Sequence, residues 1–244
     1  MEKYLISGAI GYSIWDNLDN NKRVMILHDN HSTETYCKNK TSLWISDLFN
    51  SLDSNEWEII LEEPEKKYLK ALRSLWITKH VKDVRSLTKR NIKRVDIRFN
   101  EHFANDVIPS WDVIENTIRY APNSYVQYIR NIWDYFDLYN HRRKHTNLGA
   151  DDVLYPGCIV NWSYCFPYMT KKEAIQCFKD FVFDGHILSS IIESTKHCIV
   201  YAGSWHCRSV ENWLKYENMK QVSHRNFPLG HRLETNCIEV IKTN

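Results

Sequence analysis

Four short apolar runs, each ending abruptly in acidic, basic or imidazole side chains, constrain this chain more than any other feature. They are Val24–Leu27, running into His28-Asp29-Asn30-His31; Trp57–Leu61, stopped by Glu62-Glu63-Pro64; Ile92–Ile97, running into Arg98 and Asn100; and His197–Tyr201, followed by Ala202-Gly203-Ser204-Trp205-His206. Runs of this length, enriched in β-branched residues, are strand candidates. Pro64 closes the second run because it has no N–H to give a ladder and disfavours helix at Glu63.

Between these runs the apolar spacing changes to three and four. Leu43, Trp44, Leu48, Phe49 and Leu52 predict a helix over 42–52, and another is predicted over 66–78. Trp111, Ile114 and Ile118, then Tyr125, Tyr128, Ile129, Ile132, Trp133 and Phe136, predict two helices broken near Pro122, an insertion spanning about 105–145. Gly149, Pro156, Gly157 and Pro167 mark 146–169 as a long loop that could serve as a lid, with aromatics at 155–168 to line a cleft. Thr170 is placed to cap a helix running through Ile192, and a further helix is expected from about Arg208 to Tyr216. Shorter strands are expected near Met219–Val222 and Cys237–Ile241. Strands alternating with helices predict a single α/β domain over 1–244: a mostly parallel sheet flanked by helices on both faces.

With 244 residues, 43% of them hydrophobic, the chain can bury a full core without disulfides. A formal net charge of +2 supplies no global field toward nucleic acid or an acidic membrane, so neither is an expected partner. The first residues do not read as a secretory signal, and no later run reaches transmembrane length. Cys37, Cys158, Cys165, Cys177, Cys198, Cys207 and Cys237 are odd in number and form no CxxC pair, which favours reduced thiols and a cytoplasmic location. Seven glycines are few for this length, a bias that often accompanies an AT-rich genome such as that of a large DNA virus or some parasites; if viral, host cytoplasm or virion would be the location.

In open α/β sheets, ligands bind beyond the carboxyl ends of the strands, where the connecting loops converge. Here the strand ends carry His28 and His31, Glu62 and Glu63, Asp96 and Arg98, and then His206. A solvated turn or a helix cap is the ordinary role of any one of them. Together, His, Asp and Glu can act as general base and acid, or hold a divalent ion (Zn, Mn or Fe) that lowers the pKa of a bound water. His28, His31, Glu62 and His206 are the candidate ligands, with His31 ranked above His28 as the working residue. Arg98 suits a forked contact to a carboxylate, a phosphate or a developing oxyanion, or else an ion pair with Glu62 or Asp96. His206 follows Gly203 in what reads as a turn, so its removal is expected to cost little stability.

Several other features have plainer readings. The His141 to His145 cluster favours a helix C-terminus, and the basic stretch from Lys79 to Arg94 favours a solvated helix face over phosphate contact. Asp184 and His186, within a predicted helix, could face the site.

The segments Ile-Leu-His-Asp-Asn-His-Ser, Leu-Glu-Glu-Pro, Asp-Ile-Arg and Tyr-Ala-Gly-Ser-Trp-His together resemble the erythromycin esterase, ChaN and TraB/Tiki superfamily. Members of that superfamily pair an early Gly-x-x-His or Gly-Glu-x-His turn with a Glu after the next strand and a late Gly-x-x-His. Gly203-Ser204-Trp205-His206 has the late pattern, while His28 stands where the early glycine would be. Over residues 24 to 218 the resemblance implies that His31 and His206 are the two motif histidines and Glu62 or Glu63 the acid. The superfamily includes esterases, metal-dependent proteases and haem-binding members.

The leading expectation is therefore a hydrolase acting on a small-molecule or peptide substrate through water activated at His31, Glu62 or Glu63 and His206. A metallophosphoesterase is the alternative, from the likeness of Asp29-Asn30-His31 to that class's Gly-Asn-His turn, although residues 1–27 offer no histidine for its earlier Asp-x-His. A virion or scaffold protein that keeps the fold with a decayed site is the third.

Overall fold

The computed structural model describes residues 3–29, 42–65, 68, 83–84, 86–104, 107–142, 171–226 and 238–241. The chain forms two compact units, one from residues 1–96 and 193–244 and the other from residues 97–192.

The first unit is an α/β structure built on a six-stranded sheet in the order β6-β5-β7-β3-β2-β8. Its strands are β2 (Gly11–Asn17), β3 (Arg23–Asp29), β5 (Trp57–Leu61), β6 (Ile92–Arg94), β7 (His197–Gly203) and β8 (Met219–Asn226). β6, β5, β7 and β3 run parallel to one another, and β2 and β8 complete the sheet antiparallel. A smaller sheet sets β1 (Lys3–Ser7) between β4 (Leu43–Trp44) and β9 (Ile238–Ile241).

The four expected strands are present, and β5 has the expected limits. β3 and β7 each run two residues further than expected, through Asp29 and Gly203, because His28 pairs with Ala202 and Asp29 with Gly203. His28 is thus a buried strand residue and not part of the following turn. β1, β2 and β4 are additional to the sequence reading: Leu43 and Trp44, expected within a helix over 42–52, pair with Ile6 and Ser7 of β1, and the helix begins at Ile45. β2 and β3 form a hairpin whose turn is tied by the Asn17 side chain, which accepts the Asp19 and Asn20 N–H groups. Asn21 there adopts φ 54°, a left-handed conformation that Asn tolerates better than most residues. At its base the Arg23 guanidinium grips Asp16 through two bonds of 2.6 and 2.7 Å.

Alternation along the central strands gives the sheet two apolar faces. Tyr12, Ile14, Met25, Leu27, Ile59, Leu61, Ile199 and Tyr201 pack with Leu48 and Phe49 of helix α1 (Ile45–Ser51). Trp15, Val24, Ile26, Ile60 and Val200 occupy the opposite face. Helix α5 (Ser204–Leu214) joins β3 and β7 there, its Cys207 thiol donating to the carbonyls of Leu27 and Ala202.

The basic stretch before β6 has internal work. Lys89 donates to the carbonyls of Phe49, Asn50 and Leu52 at the end of α1. Lys93 pairs with Glu193, and Arg94 donates to the Leu87 carbonyl. A cation on the last carbonyls of a helix offsets the negative end of its dipole. Lys89→Met should therefore lower unfolding free energy by about 1 kcal/mol, measurable by chemical denaturation; an unchanged midpoint would show that water replaces the ammonium without loss.

The second unit holds helices α2 (Trp111–Thr117), α3 (Asn123–Arg142) and α4 (Lys171–Glu193). The break between α2 and α3 lies at Pro122 as expected. Ile114, Ile118, Tyr125, Tyr128, Ile129 and Ile132 are all buried. The Arg130 guanidinium lies over the rings of both Trp111 and Trp133, 4.6 and 4.9 Å from their centroids.

Candidate functional site

The parallel strands of the first unit end close together in sequence register. When β5 stops at Leu61, its backbone stays pinned: the Glu62 N–H donates to the Tyr201 carbonyl, and Asp96 N–H donates to the Glu63 carbonyl. Glu63 and Asp96 are buried there.

Glu62 reaches from the end of β5 to the junction of β7 and α5. Its Oε2 accepts the Gly203 N–H at 2.5 Å, and its Oε1 lies 3.5 Å from Nε2 of His206. Both side chains are largely enclosed. Gly203 is the N-cap of α5, so the carboxylate also sits at the positive end of a helix dipole. His206 belongs to the first turn of α5 rather than to an open turn. The helix starts at Ser204, earlier than Arg208, because Cys207, Val210 and Leu214 already present an apolar stripe to the sheet.

His28 has a different partner. Its Nε2 lies 2.7 Å from Oε1 of Glu211, which also accepts the Ser13 hydroxyl at 2.5 Å; Ser13 in turn accepts the indole N–H of Trp15 at 2.8 Å. The network is buried. Glu211 was not singled out in the sequence, although a carboxylate four residues after Cys207 on the apolar stripe of α5 is an anomaly that marks it.

Burial pushes the Tyr201 phenol and the Cys207 thiol well above their ordinary pKa values. The Asp29 and Glu63 charges add to the first effect, and those of Glu211, Glu62 and Asp29 to the second. Cys207 is therefore a neutral thiol at neutral pH, unsuited to nucleophilic attack. The Arg94 guanidinium is shifted downward by burial, opposed by the charge of Glu63.

Glu62 and His206 are thus brought together, while His28 forms a second pair with Glu211. His31 and the 146–169 loop lie outside the described residues, as do His145 and, except for Tyr68, the predicted helix at 66–78. Arg98 belongs to the second unit. β6 ends at Arg94, and Ile97–Phe99 forms a 3-10 turn in which Arg98 bonds Asp180 at 2.9 Å and lies 4.6 Å from the Phe183 ring centroid. Within its unit, Arg98 forms an ion pair with Asp180. Asp184 and His186 lie on α4 in that same unit, Asp184 buried.

Among the described residues, no group of three or more His, Cys, Asp or Glu side chains is arranged to hold a metal ion. Of the candidate ligands, His28 Nε2 is engaged by Glu211, Glu62 and His206 lie together, and His31 lies outside the described residues. Cys177, Cys198 and Cys207 form no disulfide, and no helix among the described residues is long and apolar enough to cross a membrane.

No protein-family model, no curated protein and no solved structure matches the chain.

Proposed function

We propose that the chain is a hydrolase of the erythromycin esterase, ChaN and TraB/Tiki type, with water activated by Glu62 and His206 at the strand ends. The observation that carries this reading is the position of the Glu62 carboxylate, 3.5 Å from His206 Nε2 and bonded to the Gly203 N–H. Gly203 and His206 belong to the late motif of that resemblance, and Glu62 is one of its two candidate acids.

The chemistry follows from the pair. A carboxylate beside one imidazole nitrogen favours hydrogen on that nitrogen and stabilises the imidazolium once the other takes a proton. His206 can then accept a proton from water as its oxygen attacks a carbonyl or phosphoryl centre, and return it to the leaving group. The high pKa of the Cys207 thiol disfavours a covalent thioester route. The described donors do not make up a ligand set for Zn, Mn or Fe, so no step is assigned to an ion.

The test is a panel of activated esters, amides and phosphate esters, small-molecule and peptide, assayed with wild type and Glu62→Gln. Turnover in the wild type, lost by roughly 10²- to 10⁴-fold in the folded variant, is the expected result. Equal turnover in both would remove Glu62 from the mechanism.

A further inference from the structure

The bond directions around Glu211 determine which nitrogen of His28 bears hydrogen. The Trp15 indole nitrogen can only donate. Its N–H is directed at Ser13 Oγ at 2.8 Å. Ser13 therefore accepts from Trp15 and turns its own O–H toward Glu211 Oε1, 2.5 Å away. That oxygen, already an acceptor, is also 2.7 Å from His28 Nε2. Between a carboxylate and an imidazole nitrogen the hydrogen rests on the nitrogen, the stronger base. Nε2 of His28 is thus a donor, and Nδ1 is the nitrogen with a free lone pair when the ring is neutral.

The placement makes this more than a core hydrogen bond. His28 lies in register with Ala202, one residue before the Asp29–Gly203 pair, and Gly203 is the residue whose N–H binds Glu62. Helix α5 carries both His206 and Glu211. One helix therefore supplies a member of each of two His–Glu pairs at neighbouring strand ends. A burial role alone would be met by an apolar side chain at position 211, without the cost of desolvating a carboxylate.

We propose that Trp15, Ser13 and Glu211 form a positioning chain that locks His28 as its Nε2–H form at the end of β3 and, through helix α5, which carries both Glu211 and His206, holds His206 in place beside Glu62. Glu211 acts through His206 and is a positioning residue. The consequence for turnover rests on the hydrolase reading; the tautomer does not.

Ring ¹⁵N NMR on the full-length protein tests it, with the His28 signals assigned by their loss in His28→Asn. The wild type should show a pyrrole-type Nε2 and a pyridine-type Nδ1 when the ring is neutral. Glu211→Gln should keep that pattern, because the amide oxygen can still accept from Ser13 and His28. Glu211→Met should release the ring to a mixture of tautomers and lower kcat by about 10- to 100-fold with KM little changed, the range for losing a group that orients a functional imidazole. An Nδ1–H form or a mixture in the wild type would overturn the proposal, as would an unchanged pattern or unchanged kcat in folded Glu211→Met. If the wild type turns over no member of the substrate panel, the hydrolase reading fails, and the spectra still decide the tautomer.

Discussion

Gly185→Val is expected to lower unfolding free energy by about 2–5 kcal/mol, through overpacking and a displaced tyrosine bond. Gly185 lies within α4, where glycine is intrinsically the poorer helix former, so a larger residue would ordinarily help slightly. Here, an added Cβ would fall 2.6 Å from Tyr125 Cε1 and 2.8 Å from Ile118 Cγ2. Both neighbours are fully buried, and the Tyr125 hydroxyl donates to the Phe181 carbonyl at 2.6 Å. Moving the ring aside would break that bond; leaving it would force a clash with the two extra methyl groups of valine as well. Thermal unfolding should register a fall of roughly 5–15 °C for a chain of this size. A melting temperature within a degree of wild type would show that α3 can yield at this contact.

His206→Ala should reduce turnover on any substrate found by roughly 10²- to 10⁴-fold, the usual contribution of a positioned acid–base imidazole. An imidazole in an open turn could be removed almost without cost to stability. His206 is instead 7% exposed, in the first turn of α5, with Glu62 beside it. Its loss should therefore also lower unfolding free energy by about 1–3 kcal/mol, since the neighbouring carboxylate loses a partner. His206→Gln keeps a polar side chain near Glu62 without an acid–base nitrogen, and should recover part of the stability but none of the turnover. Recovery of turnover in His206→Gln would make the histidine structural.

The strands that position these residues were readable where their composition was uniform. β3, β5 and β7 are runs of Val, Ile and Leu, buried on both faces, and such runs announce themselves. β2 was hidden by its own chemistry. Ser13 takes an interior position because it carries the Trp15–Glu211 network, so the apolar alternation of Tyr12, Ile14 and Trp15 is broken by a hydroxyl. Glu211 was obscured in the same way, as a carboxylate on the buried stripe of α5. A polar residue at a core position spoils the pattern that would reveal the element, and its partner lies too far along the chain for any spacing rule to find.

Arg98 illustrates a different difficulty. The apolar run continues through Val95 and Ile97, which suggested a longer strand, but pairing with β5 ends at Arg94. The side chain that was to close the strand end then meets Asp180, 82 residues away. Gly203-Ser204-Trp205-His206 was the more dependable signal, because the step from β7 into the first turn of α5 is local in sequence and carries His206 with it. Glu62 met it because parallel pairing of β5 with β7, Leu61 opposite Tyr201, brings the next residue level with Ala202 and Gly203.

A double-mutant cycle on turnover tests most directly whether Glu62 and His206 form one catalytic unit. Glu62→Gln, His206→Gln and the double variant would be compared with wild type on one substrate, each first shown to be folded by circular dichroism and thermal unfolding. Residues that act as a unit are strongly non-additive. The account predicts that the double variant loses no more turnover than the worse single variant. Losses that multiply, or wild-type turnover in either single variant, would contradict it.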